Sequence, residues 1–188
     1  MNRRALHATA AAATLFGTLF AAVAWLKPAP RLLWNASASA PTGLYRIDAG
    51  AQPRLGDLVA IAPPPALAAF LTRRGYLPQG VPLLKRVVGL PGALVCRSGT
   101  FVTVNGAGVA RALARDRANR PLPVWGGCRV VGRGEYFLVN AARDSLDGRY
   151  FGPVSAAGLI GTAHPVLTRS NAGTAAGALS ITTKEKDR

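Results

Sequence analysis

Two hydrophobic patterns divide the chain. From Ala5 to Leu26, "ALHATAAAATLFGTLFAAVAWL", 22 positions pass without Asp, Glu, Lys or Arg. A helix rises 1.5 Å per residue, so this run spans about 33 Å, roughly the hydrocarbon thickness of a bilayer. Beyond it the apolar runs shorten and are punctuated by Pro and Gly. "DLVAIA" (57–62), "LLKRVVGL" (83–90), "FVTVNG" (101–106), "EYFLVNA" (135–141) and "LIGTAHPVL" (159–167) read as strands, and Asn105-Gly106 reads as a hairpin turn. "ALAAFLTRR" (66–74) predicts a single short helix stopped by Gly75. The pattern predicts a mainly β domain of antiparallel sheets with one short helix, preceded by a transmembrane helix.

The boundaries follow: 1–27 as a cytoplasmic N-terminus and anchor, 28–169 as the exported domain, and 170–188 as a small, polar, basic tail. "KPAPRLLW" reads as a proline-stiffened stalk between the first two. Arg3 and Arg4 precede the apolar run, Lys27 and Arg31 follow it, and Trp25 and Trp34 suit the far interface. Ala22-Val23-Ala24 also fits a signal-peptide cleavage site, but the run is long for a signal core and continues past it. An uncleaved anchor is the favoured reading, and either reading exports the rest.

Charge adds one constraint. The chain carries 23 Lys+Arg against 8 Asp+Glu, a formal net charge of +15. Such a surface attracts anionic lipid or nucleic acid. The basic residues are scattered, and no helix-turn-helix, zinc-ligand or aromatic-basic signature accompanies them, so charge alone leaves lipid and nucleic acid both open, and it is the outward placement of the domain that makes nucleic acid an unexpected partner. Cys96 and Cys128 suit a disulfide in an oxidising compartment, closing a loop worth about 3 to 4 kcal/mol; two buried thiols are the alternative. His7 and His164 are too few to build a metal site with them, and no cofactor is expected.

One lysine stands out. In a strand, Leu83, Lys85 and Val87 share a face, and Leu84, Arg86 and Val88 share the other. Both faces are apolar around a central charge. A lysine held there loses solvation in its charged form, which lowers its pKa and yields an amine able to deprotonate a serine. A move from about 10.4 to near 7.5 costs about 4 kcal/mol against the protonated form. From the pattern alone, a lysine of this kind more often snorkels to water from an edge strand.

Its neighbours narrow the choice. "KRVVGLPG" (85–92) resembles the lysine box of the type I signal peptidases, serine-lysine membrane proteases. "SASAPTG" (37–43) resembles their serine box, "LGDLVAI" (55–61) their Gly-Asp-hydrophobic strand, and "DSLDGRYFG" (144–152) their final box. All four occur in the family's order. The resemblance implies Ser39 as nucleophile and Lys85 as general base. It implies that Ser37 joins the Ser39 N–H in an oxyanion hole, that Ser145 orients the lysine amine, and that Asp147 and Arg149 pair to pin the last loop. The sequence departs from the secretory enzymes in reading Ser-Ala-Pro at its serine box, Ala93 after its lysine box, and "NAARDSLDG" where a Gly-Asp-Asn lead is usual.

The spacing Ser-x-Pro-x-Gly-x-Tyr, through Gly43 and Tyr45, instead resembles the TraF-type branch found in conjugative transfer systems. That resemblance implies a membrane-anchored serine endopeptidase of the bacterial inner membrane with its catalytic domain in the periplasm. Its expected partners are a membrane-tethered, pilin-like precursor, the lipid bilayer and other conjugation proteins. The acyl-enzyme would be resolved by water or by the precursor's own amine, giving a cyclic product. The alternatives are a general type I signal peptidase, a non-catalytic envelope assembly protein of the same fold, and an anchored nucleic-acid binder.

Overall fold

A computed structural model describes residues 2–26 and 31–169. The chain divides into two compact units, one up to Pro30 and one from Arg31. The first contains helix α1 (Arg3–Leu26), of 24 residues with none buried. Alanine and leucine favour helix at most of its positions. Its length and apolar composition suit a membrane anchor or a signal sequence.

The second unit is built on two antiparallel sheets. In chain order its elements are β1 (Leu32–Asn35), β2 (Thr42–Asp48), β3 (Leu58–Ile61), α2 (Pro65–Arg73), β4 (Leu83–Gly89), β5 (Leu94–Ser98), β6 (Phe101–Val104), β7 (Ala107–Arg111), β8 (Gly127–Val130), β9 (Glu135–Leu138), α3 (Gly148–Phe151), β10 (Val154–Ser155) and β11 (Leu159–Arg169). A seven-stranded sheet runs β1-β2-β11-β3-β4-β9-β10, and a four-stranded sheet runs β7-β6-β5-β8. The expected antiparallel, mainly β architecture is what the chain adopts.

Three apolar clusters hold the sheets together. Tyr45, Ile47, Ala60, Leu84 and Ala163 pack together with Ala40 from the β1–β2 loop. Val59, Ile61, Val87 and Leu138 form a second cluster. Val95, Val102 and Val104 of the smaller sheet meet Val131, Phe137 and Val139, which joins the two sheets. Burying each of the valine, leucine, isoleucine and phenylalanine side chains among these contributes about 1.5 to 3 kcal/mol. Cys96 and Cys128 face each other across β5 and β8 and are joined as a disulfide.

Several features differ from the pattern read along the chain, among them β5, β8 and β10, which it did not mark as strands. Residues 32–34, read as stalk, form most of β1, paired with β2 in the register Leu33↔Tyr45. Leu33 is half-buried against the Tyr45 cluster, so tertiary packing decides its conformation. In β2, Gly43, Tyr45 and Ile47 are buried on alternate positions, a period-two signal lying directly behind the Ser-Pro-Gly turn. A one-turn helix, α3, adds to the predicted one. The predicted tail, 170–188, and stalk residues 27–30 lie outside the described residues.

Two glycines make close approaches that matter to the site. A Cβ on Gly43 would lie 2.1 Å from the Leu167 carbonyl, so β11 can pair there only with glycine in β2. A Cβ on Gly148 would lie 2.7 Å from the Phe137 ring, so the turn after Asp147 can pack onto β9 only through glycine.

Candidate active site

β4 lies between β3 and β9, inside the larger sheet. The edge-strand alternative for Lys85 is therefore excluded. Lys85 is 4% exposed, with Val59 opposite it on β3. Burial in apolar surroundings pushes its amine down to about 8. Asp147 and, to a lesser extent, Asp144 act to raise it, and Arg149 to lower it.

The β1–β2 loop brings the serines to this amine. Asn35, buried at the end of β1, accepts from the Ser37 N–H at 3.0 Å and donates to the carbonyls of Ser37, Ala40 and Pro41. One side-chain amide thus ties both limbs of the loop. Tyr45 closes it from β2, donating its hydroxyl to the Pro41 carbonyl at 2.6 Å. Ser39 is held within, half-buried, while Ser37 is exposed.

The distances are short throughout. Lys85 Nζ lies 3.5 Å from Ser39 Oγ and donates to Ser145 Oγ at 2.8 Å. Ser37 Oγ and Ser39 Oγ are 2.9 Å apart, and the Ser39 N–H donates to Ser37 Oγ at 3.3 Å. The two groups expected to form the oxyanion hole are thus bonded to each other here. Both would aim at a substrate oxygen only after the Ser37 hydroxyl turns.

Asp147 and Arg149 lie behind the amine. Arg149 Nε donates to Asp147 Oδ1 at 2.8 Å, and both side chains are buried. The guanidinium also donates to the carbonyls of Asn140, Arg143 and Arg111, and Asp147 Oδ2 accepts from the Asn140 N–H. Every buried polar side-chain atom among the described residues has a partner. Such a pair matters less for its net attraction than for what its loss would expose.

Ser37, Ser39, Lys85, Ser145, Asp147 and Arg149, spread over more than a hundred positions, come together at one place. Cys96 and Cys128 belong to the smaller sheet. His164, on β11, hydrogen-bonds Thr162. Asn35 and Asn140 were missed by the sequence reading. Asn35 sits two positions before Ser37 and could have been weighed as a loop-closing amide. Asn140 carries no local signal, because its partners come from β4 and the serine loop. A groove of about 280 Å³ adjoins the loop at Pro41, lined by apolar Tyr45, Leu58 and Pro165 and by polar Asp57, Arg86 and His164. Among the described residues, no three of His, Cys, Asp or Glu are grouped as metal ligands.

A loop serine thus lies beside a buried strand lysine. Residues 3–168 match the family described as "Signal peptidase, peptidase S26", and the chain belongs to that peptidase family. Within it, the chain is similar to proteins of conjugal transfer. It is 42% identical over 145 residues to a "Probable conjugal transfer protein TraF" of Sinorhizobium fredii (strain NBRC 101917 / NGR234), covering 71% of this chain and 76% of that one. It is 37% identical over 178 residues to the conjugal transfer protein TraF of Agrobacterium tumefaciens (strain 15955), covering 89% and 97%. A crystal structure of a signal peptidase I from Enterococcus faecalis V583 aligns with a TM-score of 0.36 at 23% identity, over 60% of this chain and 97% of that one. Family membership rests on the sequence matches.

Proposed function

We propose that the protein is a membrane-anchored serine endopeptidase of a conjugative transfer system. Ser39 is its nucleophile and Lys85 its general base. The observation that carries this reading is the buried Lys85 amine 3.5 Å from Ser39 Oγ.

The chemistry follows from that contact. Neutral Lys85 accepts the Ser39 proton as Oγ attacks the scissile carbonyl, and later returns it to the leaving amine. Ser145 accepts one amine N–H, which aims the nitrogen lone pair at Ser39. The Ser39 N–H and a reoriented Ser37 hydroxyl stabilise the oxygen that becomes negative in the tetrahedral intermediate. Water, or the substrate's own amine, then releases the acyl group.

The substrate class proposed is a pilin precursor tethered in the inner membrane, cut on the periplasmic side. The conjugal transfer names of the similar proteins support this, as does an N-terminal helix suited to anchoring. A precursor held in the same bilayer would meet Ser39 at high effective concentration.

Mass spectrometry of envelope proteins from cells with the gene, without it, and with Ser39→Ala tests the reading. The expected result is one small exported protein whose mature form disappears in the last two strains, with its mass reporting linear or cyclic product. Processing that persists with Ser39→Ala would refute the mechanism. Wholesale accumulation of secretory precursors would replace the proposed substrate with secretory proteins in general.

A further inference from the structure

Asn140 hydrogen-bonds β4 and the buried ion pair and reaches Ser39, yet none of the sequence boxes assigns it a role. Its side chain is 4% exposed. Oδ1 accepts from the Arg86 N–H at 3.0 Å, and Nδ2 donates to the Leu84 carbonyl at 3.0 Å. These two backbone groups flank Lys85. β9 pairs with β4 only as far as Val87, and the Asn140 amide takes the place of a strand partner on either side of the lysine. Nδ2 also lies 3.5 Å from Ser39 Oγ, within donating reach.

The backbone of Asn140 is held equally firmly. Its N–H donates to Asp147 Oδ2 at 3.0 Å, and its carbonyl accepts from the Arg149 guanidinium. The buried ion pair therefore reaches Ser39 through Asn140, in addition to its field at Lys85.

Proton accounting shows what this arrangement does. A side-chain amide nitrogen donates and never accepts, so the Ser39 hydroxyl proton cannot go to Asn140. Ser37 Oγ already accepts from the Ser39 N–H, and its own proton can point at Ser39 Oγ. Once the Ser37 hydroxyl turns to the substrate oxygen, Asn140 remains as a donor to Ser39 Oγ, one lone pair is left for the attack, and the Lys85 amine is the acceptor in reach of the Ser39 proton. As Oγ loses that proton, the Asn140 N–H faces the growing negative charge.

We propose that Asn140 is a further residue of the catalytic centre, donating to Ser39 Oγ so that the serine proton is directed to Lys85, while bracing the β4 backbone around that lysine. The role rests on the Ser39–Lys85 chemistry proposed above.

The test uses the full chain in detergent, with an internally quenched peptide carrying small residues before its scissile bond. Wild type, Ser39→Ala, Asn140→Ala and Asn140→Asp are compared. Removing one such donor costs about 100-fold in kcat, with KM moving by less than about twofold. Asn140→Asp keeps the acceptor for the Arg86 N–H but loses both donors and adds a carboxylate near the amine. The charged groups already facing Lys85 are Asp147, Asp144 and Arg149, so the added anion moves the acid limb of the rate profile to higher pH. Lysine-selective 13C labelling reads the same upward move at Lys85 without substrate, among the four lysines of the chain.

A residue that only supported β4 would lower stability while leaving kcat per folded molecule unmoved in Asn140→Ala, whereas the added carboxylate of Asn140→Asp shifts the acid limb whatever else Asn140 does. An unchanged kcat per folded molecule on the pH plateau, in Asn140→Ala or, if that variant fails to fold, in Asn140→Asp, overturns the role of Asn140. Absence of cleavage by the wild type, or cleavage that survives Ser39→Ala, instead overturns the Ser39 chemistry on which it rests.

Discussion

Lys85 faces Val59 directly across the β3–β4 pair, and Val59 has no exposed surface. The lysine is therefore paired with a fully buried residue across the β3–β4 ladder, and is itself almost fully buried. Ser145 meets the amine at 2.8 Å but brings no charge. The desolvation that would make this lysine a poor structural residue is what makes it available as a base.

Catalysis should follow the neutral amine. Lys85 titrates near pH 8, so kcat/KM is expected to rise about tenfold per pH unit below that value and to level off above it. A pH–rate profile on the full chain checks this. A rate independent of pH between 6 and about 9 would remove Lys85 from the role of base.

Stability should carry the opposite signature to an ordinary salt-bridged lysine. The folded pKa, about 8, lies below the unfolded value, so between about 8 and about 10.4 the unfolded chain binds more protons at this site. Stability therefore rises with pH across that window, by about 3 kcal/mol in total from this group. Lys85→Met should abolish that rise and be at least as stable as wild type at pH 7, measured by urea unfolding at several pH values.

Asp147→Ala leaves the Arg149 guanidinium buried without its carboxylate and frees the Asn140 N–H. Breaking a buried pair in this way costs about 3 to 5 kcal/mol. The variant should show a lower urea midpoint and a loss of activity beyond its loss of folded protein, because Asn140 no longer holds its position against Ser39.

The disulfide belongs to the smaller sheet, in which none of the candidate catalytic residues lies. Replacing Cys96 and Cys128 by serine together should cost about 3 to 4 kcal/mol in stability by the chain-entropy estimate. Activity per folded molecule should be kept. An equal loss of both would mean that the smaller sheet shapes the site.

The sequence was most legible where a local signal and the tertiary environment agree. The Asn105-Gly106 turn shows it: both residues take positive φ, as a two-residue hairpin of this type requires. The α2 helix begins at Pro65, one position before the predicted start, and ends ahead of Gly75, where φ is +69°. The short β1 strand was not legible, because a four-residue segment after two prolines takes its conformation from Tyr45 and its cluster. At the site, Ser39 and Lys85 could be named from their boxes. Asn140 could not, since its meaning comes from the backbone of Leu84 and Arg86, more than fifty positions away. The antiparallel pairing that brings them together has no period in the sequence.

The central claim is that an uncharged Lys85 amine serves Ser39, and direct titration of that amine tests it. With lysine labelled at the ε carbon, the full chain is followed by NMR from pH 6 to about 11. The account predicts one lysine titrating near 8, lost in Lys85→Met and coincident with the kinetic limb. All four lysines titrating together near the ordinary value of about 10.4 would contradict it.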